Sequence, residues 1–223
     1  MAALLLYILV LIAGGSVLSI EILGARMLEP FCGLGPFLWS VLLAVTLMAL
    51  VLGFAIGGRQ ADRDARNAAL AIPLIASGCW MLLVPWIRKP VLLFLEPQGL
   101  RLDVVVAAAL LIGPPVVLLG IVLPLAVRLK VSGMVDIGRA VGRVCGVFAV
   151  GGVAFALFAW FVLIPTLGVF RTALLTGLVQ IIGGAAAFRS RERVRTVARA
   201  GAALAVIGVL FLWKAGTGAA GQA

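Results

Sequence analysis

Along the chain, apolar positions come in long runs separated by short polar connections, and none alternates with the period of two expected of a half-buried strand. Seven runs stand out, at 3–22, 37–57, 69–87, 103–125, 142–165, 168–188 and 198–214. Each is close to the roughly 20 residues an α-helix needs to cross a bilayer. Lipid-exposed backbone must satisfy its own hydrogen bonds, and a helix does so within one segment. The expected fold is therefore all-α, a polytopic transmembrane helical bundle of about seven spans over 1–214, with a small, loosely ordered tail at 215–223. The first run has no Lys or Arg before it and is longer than a signal core, so it reads as a retained span. The stretch 88–101, with Arg88, Lys89 and Arg101 around five apolar residues and Pro97, is too short to span and is expected along the outer interface.

Composition agrees. Hydrophobic residues make up 64% of the 223 and charged residues 12%, against roughly 45–50% apolar and about 25% charged in a soluble domain. That leaves no room for a sizeable water-soluble catalytic domain. Histidine is absent, which removes the usual general base near neutral pH and the commonest metal ligand. The cysteines Cys32, Cys79 and Cys145 share no zinc-type spacing. No metal and no cofactor is expected.

The net charge of +10 would point to nucleic acid in a soluble domain, but here the basic residues sit in the connections between spans. The connections after spans two, four and six hold Arg59, Arg63, Arg66, Arg128, Lys130, Arg139, Arg143, Arg189, Arg191, Arg193, Arg195 and Arg199. The opposite side holds six: Arg26, Arg88, Lys89, Arg101, Arg171 and Lys214. The positive-inside bias places the twelve-residue side and the N-terminus in the cytoplasm of a bacterial-type inner membrane, with no nucleic acid partner.

Charges within or beside apolar runs are costly in lipid, so each is a candidate site. Glu21 and Arg26 close the first span five residues apart, about 140° around a helix, and address different neighbours. Either Glu21 pairs with a basic residue of the bundle while Arg26 reaches the interface, or the group, with Glu29, serves a substrate or proton. The connection holding Gly57, Gly58, Arg59, Asp62 and Arg63 reads as a packed cytoplasmic turn, with Asp62 capping the third helix and an arginine reaching its carboxylate. Gly53 and Gly57 form a small-xxx-small pair that favours close helix contact. Gly113, Pro114 and Pro115 break the fourth span and free backbone carbonyls for a ligand, a water or a neighbouring side chain.

These residues carry a resemblance. Glu21, Gly24, Ala25, Arg26, Glu29, Pro30 and Gly33, then Trp39, Gly53, Gly57, Gly58, Arg59, Asp62 and Arg63, resemble the membrane region of the spermidine-synthase-like integral membrane proteins. Pro114, Gly120, Pro124 and Arg128, then Gly142, Arg143, Pro165 and Gly168, are similar to that region in order and spacing. In that family a soluble aminopropyltransferase-like domain commonly follows the bundle. No glycine-rich strand-to-helix turn occurs in these residues, so its donor site is not carried over. Cys145 and Phe148 stand where the family often has a tyrosine and a small polar residue. The stretch 58–63, with Arg66, also resembles the loop between spans two and three of major facilitator transporters.

The resemblance implies a non-catalytic membrane subunit or anchor whose partners are the lipid bilayer and other protein subunits, or a separately encoded transferase-like protein. The alternative is a transporter or conduit for a polyamine-like or other organic ion, of half major-facilitator type. A cation path needs interior carboxylates, and within the spans only Glu21 and Asp103 qualify.

Overall fold

In a computed structural model, the structure describes residues 2–33, 35–63, 67–95, 101–131 and 137–188. All regular structure among them is helical: α1 (Ala2–Cys32), α2 (Pro36–Arg63), α3 (Asn67–Leu95), α4 (Arg101–Leu111), α5 (Gly113–Lys130), α6 (Ile137–Phe158), a π-helical turn (Ala159–Leu163) and α7 (Ile164–Phe188). Five stretches are long and apolar enough to cross a membrane: Leu4–Pro30, Pro36–Arg63, Ala69–Leu93, Gly113–Lys130 and Ile137–Ala187. The last holds 51 residues, about 76 Å at 1.5 Å per residue, more than twice a hydrocarbon core. Gly168 divides it. Its φ of 79° and ψ of 166° lie where only glycine is comfortable, and the chain reverses there. The described residues therefore make a multi-pass bundle of six passes rather than seven, with α4 and α5 together forming the fourth. The run at 198–214 and the tail at 215–223 lie outside the described residues.

Several boundaries move from the sequence expectation. α1 continues past residue 22 to Cys32, and α2 passes Gly57 and Gly58 to end at Arg63, because neither glycine leaves the helical conformation. The interfacial segment expected over 88–101 is, as far as Leu95, the end of α3, which carries Pro73, Pro85 and Pro90 within it. Tertiary packing has overridden the helix-breaking tendency of those prolines. The fourth pass consists of two helices, with α4 ending at Leu111 and α5 starting at Gly113.

Glycine seams hold three helix pairs together: α1 on α6, α2 on α5 and α3 on α7 pack most extensively. A Cβ built on Gly78 would lie 2.6 Å from the Gly177 carbonyl oxygen, and one on Gly177 would lie 2.8 Å from that of Gly78. Gly53 and Gly57 meet the backbone of α5 at Gly120 and Ile121, so the small-xxx-small pair does bring its helices together. Gly14 and Gly151 do the same between α1 and α6.

Two cation–aromatic contacts flank the apolar body of α1. Lys130 Nζ lies 5.3 Å from the Tyr7 ring centre, and the Arg26 guanidinium lies 4.4 Å from that of Trp160. Nineteen residues separate Tyr7 from Arg26, a rise of about 29 Å, which matches the roughly 30 Å hydrocarbon core. Aromatic and basic side chains favour both interfaces. The Tyr7 contact also puts the N-terminal end of α1 on the same side as the connection after α5.

Candidate chamber and its charged rim

α1 runs against α2, α5, α6 and α7, so its polar residues meet protein rather than lipid. Ser16 and Ser19 are buried on it. On α7, Thr172, Thr176 and Gln180 recur every fourth residue and are all buried, and Thr176 shares a cavity with the two serines. Thr172 Oγ1 donates to the Gly168 carbonyl at 2.8 Å, and Thr176 Oγ1 to that of Thr172 at 2.9 Å. These back-bonds use the hydroxyl protons and leave acceptor lone pairs. Ser16 Oγ and both Gln180 amide atoms are buried with no hydrogen-bond partner among the described residues.

A cavity of about 600 Å³ lies between α1, α6 and α7. Ser16, Ser19 and Thr176 form its buried polar wall. Phe158, Leu175 and Val179 line it too, and each is exposed among the described residues. The chamber thus runs from an exposed apolar mouth between α6 and α7 to a hydroxyl floor against α1. Leu163, at the end of the π-helical turn, closes one wall. That turn absorbs Pro165, whose missing N–H would leave the Phe161 carbonyl without its usual helical donor.

The charged rim stands two turns beyond Ser19. Arg26 follows Ser19 by seven residues, about 10.5 Å along the axis and on nearly the same face. Arg26 Nη1 bonds Glu29 Oε2 at 3.1 Å, while its plane lies over Trp160, three residues before Leu163. Its Nε is buried and has no hydrogen-bond partner among the described residues. Glu21 is apart from this pair. It is only 6% exposed, its Oε1 has no partner among the described residues, and Arg26 is engaged by Glu29 instead. Sequence spacing already separated Glu21 from Arg26, and an i,i+3 carboxylate supplies the better geometry.

The other sequence candidates fall elsewhere. Arg59, Asp62 and Arg63 are exposed at the end of α2, and no ion pair joins them among the described residues. Because α2 continues to Arg63, Asp62 is inside that helix and does not cap α3. It lines, with Arg128 and Cys145, an open groove of about 500 Å³ between α2, α5 and α6. Arg66 lies outside the described residues.

At the break formed by Gly113, Pro114 and Pro115, α3 donates to two backbone carbonyls, one of them, that of Leu111, freed by the missing N–H of Pro115. Trp80 Nε1 donates to the Leu111 carbonyl at 3.3 Å, and Ser77 Oγ to that of Pro115 at 3.1 Å. A neighbouring side chain thus takes the place a ligand or water could have had. Ile112 fills the space left by the missing side chain of Gly24.

Sequence reasoning that looked for charges passed over Ser16, Ser19, Thr176, Gln180 and Trp160. The available signal was the four-residue recurrence of Thr172, Thr176 and Gln180 inside an otherwise apolar run. No family model, curated protein or solved structure matches the chain.

Proposed function

We propose that the chain binds a small, lipid-soluble molecule inside the bilayer, in the chamber between α1, α6 and α7, and acts as its carrier or conduit. The observation that carries this reading is the buried, unpartnered Ser16 Oγ on the floor of a cavity whose mouth is apolar. An unpaired polar group in a low-dielectric interior is costly, and a ligand hydroxyl or carbonyl would pair it. About 600 Å³ is within the usual range of small-molecule sites. Among the described residues the chamber lining carries no charge, which suits a neutral polar group and would leave a polyamine without a counter-ion there.

Full-length protein in lipid nanodiscs, titrated with a brominated long-chain alcohol, tests this through quenching of Trp160 at the rim. Saturable quenching that Ser16→Leu and Thr176→Leu each weaken about tenfold is expected; linear, unsaturable quenching in all three proteins would overturn the reading.

A second reading is the non-catalytic membrane subunit or anchor, with other subunits or a separately encoded transferase-like protein as partner. Its support is the ordered set of motifs similar to the spermidine-synthase-like membrane region, from Glu21 through Gly168. The proposed setting is a bacterial-type inner membrane with the N-terminus in the cytoplasm, supported by the basic residues gathered on one side. The two readings differ in whether the chain works alone or bound to a partner. Purification from native membranes in mild detergent separates them: a partner that stays bound favours the subunit, and a monodisperse single chain favours the carrier.

A further inference from the structure

We propose that the molecule in the chamber is a zwitterionic amphiphile of the aminoethyl-phospholipid class, its phosphate on Arg26 and its ammonium on Glu29; this rests on the chamber reading above. The rim is a balanced pair. Arg26 spends one donor, Nη1, on Glu29 Oε2, and its buried Nε has no partner among the described residues. Trp160 beneath the guanidinium holds it in plane, which presents its remaining donors edge-on to an incoming oxyanion.

Glu29 decides the class of head group. A purely anionic head would meet the Glu29 carboxylate beside Arg26 and be repelled, and a purely cationic one would meet the guanidinium. A head carrying both charges pairs each with its opposite and leaves none uncompensated. Both side chains are 32% exposed, so a ligand can reach them. Their height fits as well. Arg26 lies about 29 Å above Tyr7, at the level of lipid head groups, with the chamber mouth one to two turns lower at acyl-chain depth. A chain entering between α6 and α7 beside Phe158 can therefore stay attached to a head at the rim.

The test uses detergent-purified full-length protein offered an equimolar mixture of phosphatidylethanolamine and phosphatidylglycerol with identical chains, read by native mass spectrometry. Retention of the zwitterionic lipid by about three- to fivefold over the anionic one is expected, the range that exposed charge pairs support. Glu29→Gln should bring that ratio to one or below, because the remaining guanidinium takes either phosphate, and Arg26→Gln should lower retention of both lipids, while the brominated alcohol still quenches Trp160. Equal retention of the two lipids by the unmodified protein, with alcohol binding intact, would overturn the head-group assignment and leave the chamber standing. Loss of alcohol binding as well would remove the chamber reading itself. Displacement of bound lipid by millimolar soluble phosphoethanolamine would assign the rim to a water-borne zwitterion and overturn the lipid.

Discussion

Trp80 supplies the hydrogen bond that Pro115 cannot. In an unbroken helix the N–H of residue 115 would reach the carbonyl of Leu111; proline has none, and the indole of Trp80 on α3 donates to that carbonyl at 3.3 Å. The break between α4 and α5 is thereby tied to α3 as well as packed on it. Trp80→Phe removes the donor and leaves a smaller aromatic ring. The hydrogen bond itself should account for about 0.6 kcal/mol of the lost stability, the average for interhelical hydrogen bonds in a membrane protein, and at most about 1.7 kcal/mol. Pro115→Ala restores a backbone donor, so in that background Trp80→Phe should cost less. Thermal unfolding of the four proteins in detergent gives the double-mutant cycle, and additive effects would deny the relationship.

Close approach of α3 and α7 depends on Gly78 and Gly177 having no side chains. Gly78→Ala would place a Cβ 2.6 Å from the Gly177 carbonyl oxygen and must push backbone apart. The expected loss is about 1–3 kcal/mol, typical of overpacking. Gly146→Ala is the control: nothing lies within 4 Å of its Cβ position, and alanine favours a helix, so stability should hold or rise slightly. Similar melting temperatures for the two variants would contradict the seam.

Topology is checked from the two sides of the membrane. With the N-terminus in the cytoplasm, Cys32 is outside and a cysteine placed at Ser190 is inside. An impermeant thiol reagent applied to intact cells should label the first and spare the second. The opposite pattern would invert the scheme.

How much of this was legible beforehand divides along physical lines. Helix type and the membrane setting follow from run length and hydropathy, because the bilayer imposes one length scale on every span. The breaks at Gly113 and Gly168 are visible as glycine and proline punctuation. Hydroxyls such as Ser16 and Thr176 are less visible, since in a membrane helix they are as often spent on their own backbone as on a ligand. Which of the two applies depends on the face that meets a neighbour, and that is a property of the packed bundle. Trp160 joins Arg26 across 134 residues, a separation that no local pattern encodes. The Arg26 partner was within reach of sequence, since Glu29 stands one turn on; Glu21 drew attention because it lies deeper.

Glu21 yields the sharpest test of what its burial means. The carboxyl lies five residues inside Arg26, about 7.5 Å below the rim, with Oε1 buried and unpartnered among the described residues. A carboxylate in a structural ion pair would make Glu21→Gln destabilising, because a buried basic partner would be left alone. No such pair is found among the described residues, so the opposite sign is expected: the amide keeps the shape, removes a group that is expensive to bury, and should leave the melting temperature unchanged or raise it. If Glu21 instead works in passage of a solute or proton, the same variant loses flux in liposomes at that undiminished stability. Thermal unfolding and flux on one preparation separate the cases. A fall of several degrees in melting temperature would show that Glu21 does have a charged partner, and the unpaired reading of this carboxyl would be abandoned.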